Sequence, residues 1–284
     1  VRVGRATATQ WIMNDDRLSV GLVTDDEVHE SDGTAELRVE LSTRSTEAVH
    51  VRATTSAGTA VGDVDFEEMS VVITIPAGDL SAPLSIPIIQ DSLDETSETF
   101  AVVLSAPSGD CYIDRGSSRQ VVTIIDDDVA LVSVADATVL ESAGSVSLAV
   151  SLSLASTRDV SVRVALFPGT AKLDADYAGT AATVTVAAGT RDSRVIVDII
   201  SDTVDEVDEH FTVVLSSPTN GAQVDVGVGR VTIEDDDVAL VDVHDAEITE
   251  GQAEAVDVLV TLTTTSSRDV TIGYTLVDGT ALGE

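Results

Sequence analysis

The sequence predicts an all-β protein made of tandem Greek-key sandwiches with seven strands each. Three observations support this prediction: polar and apolar residues alternate at period two, Val, Ile and Thr dominate these runs, and turn-forming residues separate them. No stretch has the 3.6-residue periodicity of an amphipathic helix. The alternative of parallel sheets is therefore disfavoured, because parallel strands need helical crossovers.

The alternation is clearest in the second half of the chain, where it predicts seven strands. They centre on residues 130–134, 146–154, 160–166, 182–186, 194–200, 211–215 and 229–233. Seven short strands within about 110 residues, with turn signals between them, are typical of a Greek-key sandwich.

Internal repeats set the domain organisation. The string IIDDDVALVSV begins at Ile124 and IEDDDVALVDV begins at Ile233, 109 residues later. The predicted units are the last strand of a preceding repeat over 1–16, full repeats over 17–128 (repeat 1) and 129–237 (repeat 2), and the N-terminal part of a further repeat over 238–284 (segment 3). We expect a segment of a longer protein; completion of the two partial units by partner chains is the alternative.

The composition restricts the class of protein. Hydrophobic residues make up 43% of the 284 residues, which argues against global disorder. Acidic residues number 50 against 15 basic ones, a net charge of −35 that disfavours binding to nucleic acids and to anionic membrane surfaces. No apolar run reaches the length of a membrane-spanning helix. The expected partners of such a surface are cations.

Catalytic signatures are missing from the sequence. It has no nucleophile elbow, P-loop or dinucleotide fingerprint, and its four histidines occupy unrelated positions in the repeats, so we expect no enzyme. Its one cysteine, Cys111, excludes an intramolecular disulfide; we expect a free thiol, with an intermolecular bridge as the alternative. Trp11 is expected to pack on the core of the preceding unit.

Carboxylates recur at equivalent positions in the two full repeats, at strand ends and turns. In repeat 1 they are Glu30, Asp65, Asp91, Glu95, Glu98, Asp126, Asp127 and Asp128; in repeat 2 they are Glu141, Asp176, Asp202, Glu206, Glu209, Asp235, Asp236 and Asp237. Because turns alternate between the two ends of a sandwich, the predicted connectivity brings all eight carboxylates of a repeat to one pole.

Eight carboxylates at one end of a sandwich would repel one another strongly. Two like charges about 5 Å apart repel by roughly 3 kcal/mol at an effective dielectric near 20, so either the pKa values rise or cations bind. A set of oxygen ligands without His or Cys favours a hard ion over zinc or copper, and calcium tolerates the irregular geometry of loops. A saline habitat is a second explanation of the acidity, but it predicts scattered rather than repeated acids.

The motifs around these acids resemble those of Calx-β domains, the calcium-binding repeats of sodium–calcium exchangers and of extracellular adhesive proteins. In repeat 2 they read VLESAG, GTAKLDADY, IISDTVDEVDEHF and VTIEDDD; in repeat 1 they read VHESDG, GTAVGDVDF, IIQDSLDETSETF and VTIIDDD. The resemblance covers essentially all 284 residues.

The resemblance implies an immunoglobulin-like sandwich that binds several calcium ions in its loops. It also implies that a backbone carbonyl of the acidic loop is a ligand, at Leu93 in repeat 1 and at Val204 in repeat 2. The family often has two consecutive acids in this loop, where this chain has Gln90 and Ser201 at the first position. One carboxylate is thereby removed from each site.

From these features we expect a calcium-binding structural or adhesive segment of a large extracellular or cell-surface protein, in which calcium rigidifies the junctions between repeats. The expected partners are calcium ions, neighbouring repeats, and a protein or carbohydrate adhesion partner; nucleic acid and direct membrane insertion are not expected. A calcium-sensing regulatory domain of a transporter is one alternative. A subunit of an extracellular filament or matrix that assembles by strand exchange is another.

Overall fold

The computed structural model describes residues 17–179, 181–249, 251, 255–277 and 279. The predicted strand over 1–16, with Trp11, lies outside these residues. So does Glu250 of segment 3, which aligns in sequence with Glu30 and Glu141. The chain divides into two compact units, Val1–Asp128 and Val129–Glu284. In the described part, the regular elements are β-strands and two 3₁₀ turns, and the predicted all-β class is confirmed. The described residues include no helix with the length and apolar character needed to cross a membrane.

Repeat 1 contains nine strands. They are β1 (Ser19–Thr24), β2 (Glu27–His29), β3 (Thr34–Leu41), β4 (Val49–Ala57), β5 (Ser70–Ile75), β6 (Ser81–Pro87), β7 (Glu98–Ser105), β8 (Tyr112–Ile113) and β9 (Arg119–Ile125). One sheet has the order β6-β3-β1-β8 and the other has the order β2-β9-β7-β4-β5. Alternate side chains of both sheets enter one largely aliphatic core, as in a sandwich.

Repeat 2 has the same architecture in ten strands. They are β10 (Leu131–Val134), β11 (Ala137–Leu140), β12 (Ser145–Leu152), β13 (Val160–Pro168), β14 (Tyr177–Ala178), β15 (Ala182–Val186), β16 (Asp192–Ile199), β17 (Glu209–Ser216), β18 (Gln223–Val224) and β19 (Val228–Glu234). The sheets have the orders β14-β16-β12-β10-β18 and β11-β19-β17-β13-β15. All seven predicted strands are present; the short strands β11, β14 and β18 were not predicted.

The N-terminal strand of each repeat is split between the two sheets. In repeat 1, β1 pairs antiparallel with β3, whereas β2 pairs parallel with β9 at the end of the other sheet. In repeat 2, β10 and β11 divide in the same way. This split matters for function because it carries the chain to the last strand of the repeat, where the triple-aspartate run begins.

Two further features complete the described fold. Segment 3 contributes the antiparallel pair β20 (Val241–Val243) and β21 (Val260–Leu262). Cys111 is buried in the core of repeat 1, and the free state of its thiol stays a prediction. The boundaries between the repeats, as residue numbers, stay predictions.

Candidate metal centre

The split N-terminal strand places a buried glutamate beside the aspartate run. His29 pairs with Ile125, so Glu30 and Asp126 come next to each other at the ends of parallel strands. In repeat 2, Leu140 pairs with Glu234, which brings Glu141 to the corresponding place. The side chains of Glu30 and Glu141 are only 7% and 8% exposed. Each glutamate opens a 3₁₀ turn that ends at a left-handed glycine.

A stacked pair of aromatic rings fixes a second carboxylate in each repeat. Phe66 stacks on Phe100 with ring centroids 4.5 Å apart, and Asp65 directly precedes Phe66. In repeat 2 the equivalent rings, Tyr177 and Phe211, are 4.2 Å apart. Because the second ring lies two residues after the first residue of β7 or β17, the stack holds the aspartate close to the glutamate that begins that strand.

The long acidic loop is anchored by its own carboxylates. The Asp91 N–H donates to Glu30 Oε1 at 2.7 Å, and the Leu93 N–H donates to Asp91 Oδ1 at 2.7 Å. The matching bonds in repeat 2 join Asp202 to Glu141 at 2.8 Å and Val204 to Asp202 at 2.6 Å. Leu93 and Val204 therefore lie in the loop that approaches the buried glutamate, and ligation by their carbonyl oxygens stays a prediction.

The predicted carboxylates assemble into two groups per repeat. In each group, one oxygen from each of three residues lies within 4.8 Å of the others. The outer groups are Glu30, Asp127 and Asp128 in repeat 1, and Glu141, Asp202 and Asp237 in repeat 2; the inner groups are Asp65, Glu95 and Glu98 in repeat 1, and Asp176, Glu206 and Glu209 in repeat 2. The sequence predicted the members but not this division.

Four predicted residues lie beside these groups. Asp91 is adjacent through its bond to Glu30, and Asp126 Oδ2 accepts the Glu95 N–H at 3.1 Å. Asp235 lines a small cavity with members of both groups of repeat 2, as Asp126 does in repeat 1. Asp236 accepts a hydrogen bond from the Ser142 hydroxyl, a contact that the sequence did not predict.

Burial and mutual repulsion make the carboxylates of the inner groups reluctant to ionise. Burial, followed by the charges of Asp65 and Asp91, raises the pKa of Glu95 to about 7. Burial and a hydrogen bond with Asp65 raise the pKa of Glu98 to about 7. In repeat 2, burial and a hydrogen bond with Asp176 raise the pKa of Glu209 to about 7 as well.

Carboxylates of the outer groups also have raised pKa values. Burial is the main cause of the raised pKa values of Glu30 and Glu141, with neighbouring aspartates adding to it. Burial and the charges of the neighbouring aspartates also raise the pKa of Asp128 and of Asp237. Without a cation, these carboxylates oppose one another at neutral pH.

Several buried carboxylate oxygens in or beside the outer and inner groups have no hydrogen-bond partner, and a cation would satisfy them. Asp126 Oδ1, Asp128 Oδ2, Asp235 Oδ1 and Asp237 Oδ2 are buried without a hydrogen-bond partner. Such atoms are costly in a native fold unless something else satisfies them. The four atoms occupy equivalent positions in the two repeats, directly after the last strand of each, and oxygen ligands in such irregular segments suit calcium. The donor set therefore fits the ion that the sequence predicts.

The acidic loop of repeat 2 also contacts segment 3. Asp205, 9% exposed, exchanges backbone hydrogen bonds with Thr265 and Ser267, each 2.9 Å long. Its carboxylate accepts a bond from the Ser266 hydroxyl at 2.8 Å and forms an ion pair with Arg268. Asp205 immediately precedes Glu206 of the inner group, so one loop carries both a candidate ligand and this contact. No sequence pattern indicates this contact, because its partners lie about 60 residues away along the chain.

Comparison with known proteins identifies the same motifs. A family model described as the Calx-beta domain matches residues 14–128, 125–237 and 234–284. Among solved structures, CBD12 from CALX1.2 is 20% identical, covering 75% of this chain and 99% of that chain, with a TM-score of 0.38. The apo-form Calx CBD1 domain is 25% identical, covering 40% of this chain and 100% of that chain, with a TM-score of 0.38. No curated protein matches the chain. The family match by sequence covers nearly the whole chain.

Proposed function

The chain belongs to the Calx-beta domain family, and from this premise we propose that it is a calcium-binding segment of a larger extracellular or cell-surface protein. Calcium occupies the outer and inner carboxylate groups of each full repeat and rigidifies the loops at the repeat junctions. The family consists of non-catalytic binding domains, and we propose no catalytic role for this chain.

One observation carries the calcium proposal. Two equivalent pairs of buried carboxylate oxygens, from Asp126 and Asp128 in repeat 1 and from Asp235 and Asp237 in repeat 2, have no hydrogen-bond partner. Asp128 and Asp237 belong to the outer three-carboxylate groups, and Asp126 and Asp235 lie beside the groups of their repeats. A divalent cation would satisfy these oxygens and remove the repulsion that raises the pKa values of the surrounding glutamates.

The structural role is supported by the loop that carries the inner ligands. In repeat 2 that loop holds Glu206 and is bonded to segment 3 through the adjacent Asp205. Ordering of the loop by calcium would also order this contact, because the two residues share one stretch of backbone. An adhesive function, with a protein or carbohydrate partner, is the further role that we propose for such a stiffened array.

Calorimetry of the full chain tests the proposal. We expect calcium to raise the unfolding temperature relative to chelator, because an ion at ten to a hundred times its dissociation constant adds about 1.4–2.7 kcal/mol per site. Magnesium at the same concentration should give a smaller shift, since it demands a smaller and more regular oxygen cage. Unchanged unfolding temperature together with an unchanged sedimentation coefficient would refute the proposal.

Affinity distinguishes the structural segment from a transporter sensor. Extracellular calcium modules have dissociation constants of about 10⁻⁴ to 10⁻³ M and stay occupied, whereas sensors respond at about 10⁻⁷ to 10⁻⁵ M. Isothermal titration of the chain with calcium measures this directly. Sub-micromolar binding would favour the sensor and would contradict the extracellular assignment.

A further inference from the structure

The inner groups of the two repeats have the same three ligand types but different surroundings. The chain contains a single lysine, Lys172, and it lies in the loop that carries Asp176 of the inner group. Valine occupies the equivalent position, Val61, in repeat 1. The difference therefore places the chain's only lysine side chain in the loop of one of the two inner groups.

The backbone geometry shows that the two positions are truly equivalent. The Lys172 N–H donates to Asp176 Oδ2 at 2.6 Å, and the Asp176 N–H donates to the Lys172 carbonyl oxygen at 3.0 Å. The Val61 N–H donates to Asp65 Oδ2 at 2.6 Å, and the Asp65 N–H returns to the Val61 carbonyl oxygen at 2.9 Å. Both residues thus close the same turn around an inner-group carboxylate, and their side chains are exposed.

The charge of the lysine reaches the other two members of the inner group. Burial raises the pKa of Glu206 and of Glu209, while Lys172 acts on both in the opposite direction. In repeat 1, the charged neighbours that act on Glu95 and Glu98 are all carboxylates, and all raise their pKa.

The residues that follow the stacked aromatic ring also differ in charge between the two repeats. In repeat 1, Glu67 and Glu68 follow the stacked Phe66. Ala178 and Gly179 take these places in repeat 2. The acidic loop differs in the opposite sense, because Asp208 of repeat 2 takes the place of Ser97 in repeat 1. Over the two loops together, repeat 1 still carries more formal negative charge, which favours a divalent cation.

We propose that Lys172 makes the inner calcium site of repeat 2 weaker than that of repeat 1, so that the two repeats fill at different calcium concentrations. This inference rests on the proposed calcium-binding function. The lysine partly balances the carboxylates when calcium is absent and repels the ion as it enters. Repeat 1 then stays occupied while repeat 2 responds to changes in calcium concentration.

Reciprocal substitution in the full chain tests the proposal by isothermal titration with calcium. Lys172→Val is measured with the inner site of repeat 1 disabled by Glu98→Gln, and Val61→Lys with that of repeat 2 disabled by Glu209→Gln. We expect Lys172→Val to tighten inner-site binding in repeat 2 by about three- to tenfold, and Val61→Lys to weaken it in repeat 1 by a similar factor.

The matched control, Lys172→Arg, keeps the charge and should leave the affinity unchanged. The effect of Lys172→Val should shrink as salt is raised, because salt screens an exposed charge but does not alter a steric effect. Unchanged affinity in both reciprocal variants, or equal tightening by Lys172→Arg, would overturn the proposal while leaving calcium binding intact. Absence of calcium binding in every variant, including the parent chain, would instead overturn the proposed function and this inference with it.

Discussion

Repeats 1 and 2 build the same inner carboxylate group in different electrostatic settings. In repeat 1 the loop that closes the group carries Val61 and is followed by Glu67 and Glu68, whereas in repeat 2 it carries Lys172 and is followed by uncharged residues. The ligand types, the stacked rings and the backbone bonds are alike. Matching candidate ligands therefore need not make matching sites, because charges outside a coordination shell also contribute to the free energy of binding.

The outer groups differ in another way. In repeat 1 the second and third residues of the aspartate run, Asp127 and Asp128, join Glu30. In repeat 2 only the third residue of the run joins, and Asp202 from the acidic loop completes the group. The second aspartate of that run, Asp236, bonds to Ser142 instead. The hydrogen bond between Ser142 and Asp236 thus accompanies a difference between the repeats in which aspartates of the triple-aspartate run join the outer group.

The largest expected effect comes from removing one inner carboxylate in each repeat separately. Glu98→Gln should weaken inner-site calcium binding in repeat 1 by roughly 100-fold, because a neutral amide replaces a charge in direct contact with a divalent ion. Glu209→Gln should do the same in repeat 2 and leave repeat 1 unchanged. Isothermal titration measures both variants.

The control for these variants is Glu47→Gln. Glu47 is an exposed acid in the turn between β3 and β4, at the end of the sandwich away from the carboxylate groups, and its replacement should not alter binding. If Glu98→Gln and Glu209→Gln weakened the same binding step, the two repeats would not hold separate inner sites.

The next largest effect is expected in the pH dependence of stability without calcium, which should differ between the two repeats. Glu95, Glu98 and Glu209 ionise near pH 4.5 when unfolded, and their folded pKa is raised to about 7. The folded state binds more protons in this window, so the free energy of unfolding falls as pH rises from about 4.5 to 7. The fall should be larger in repeat 1, where two glutamates rather than one are raised to about 7.

With calcium present, the trend should reverse, because protons compete with the ion for the same carboxylates. Thermal unfolding followed from pH 4.5 to 8, with chelator and with calcium, measures both trends. An unfolding temperature that rises with pH in chelator would contradict the raised pKa values and the burial and mutual repulsion that cause them.

A smaller effect is expected at the contact between repeat 2 and segment 3. Arg268→Ala leaves the Asp205 carboxylate, 12% exposed, without its ion-pair partner, which should cost about 1–3 kcal/mol of local stability. Faster hydrogen exchange of the Ser267 amide, which donates to the Asp205 carbonyl oxygen, would report the loss. Arg38→Ala is the control, because its ion pair with Glu40 is exposed and such pairs contribute little. Equal exchange in the parent and in Arg268→Ala would show that the pair does not hold the contact.

The smallest effect is expected in the aromatic stack. Tyr177 is fully buried and its hydroxyl has no hydrogen-bond partner, whereas repeat 1 has Phe66 at this position. Tyr177→Phe should shift the unfolding temperature by no more than about 2 °C, and upward if at all, because removing an unsatisfied buried group is neutral or stabilising. Calorimetry measures the shift. A substantial decrease would mean that the hydroxyl contributes a favourable interaction to the fold.

Much of the fold could be predicted because the long strands alternate with period two. Strands such as β12 and β16 carry eight residues each, enough for the alternation to be unambiguous. Strands β11, β14 and β18 have two to four residues, too few for any periodicity. The parallel pairing of β11 with β19 was missed for this reason, although that pairing is what carries Glu141 to the aspartate run.

The acidic residues that form the carboxylate groups could be predicted, but their division into groups could not. Repetition identified the acidic positions, since both full repeats carry them at the same places. Side-chain rotamers and long-range pairing decide which aspartate faces Glu30 or Glu141, and a sequence pattern contains neither. The Asp205 contact and the bond between Ser142 and Asp236 are of the same kind, because each joins residues that are distant in the sequence.

Crystals grown with calcium would show whether the ion occupies the carboxylate groups, through anomalous scattering measured at a wavelength where calcium contributes. If the proposal is correct, anomalous peaks lie between Asp65, Glu95 and Glu98 in repeat 1 and between Asp176, Glu206 and Glu209 in repeat 2, with lower occupancy in repeat 2 at limiting calcium. Carboxylate groups that remain without anomalous density at saturating calcium would contradict it.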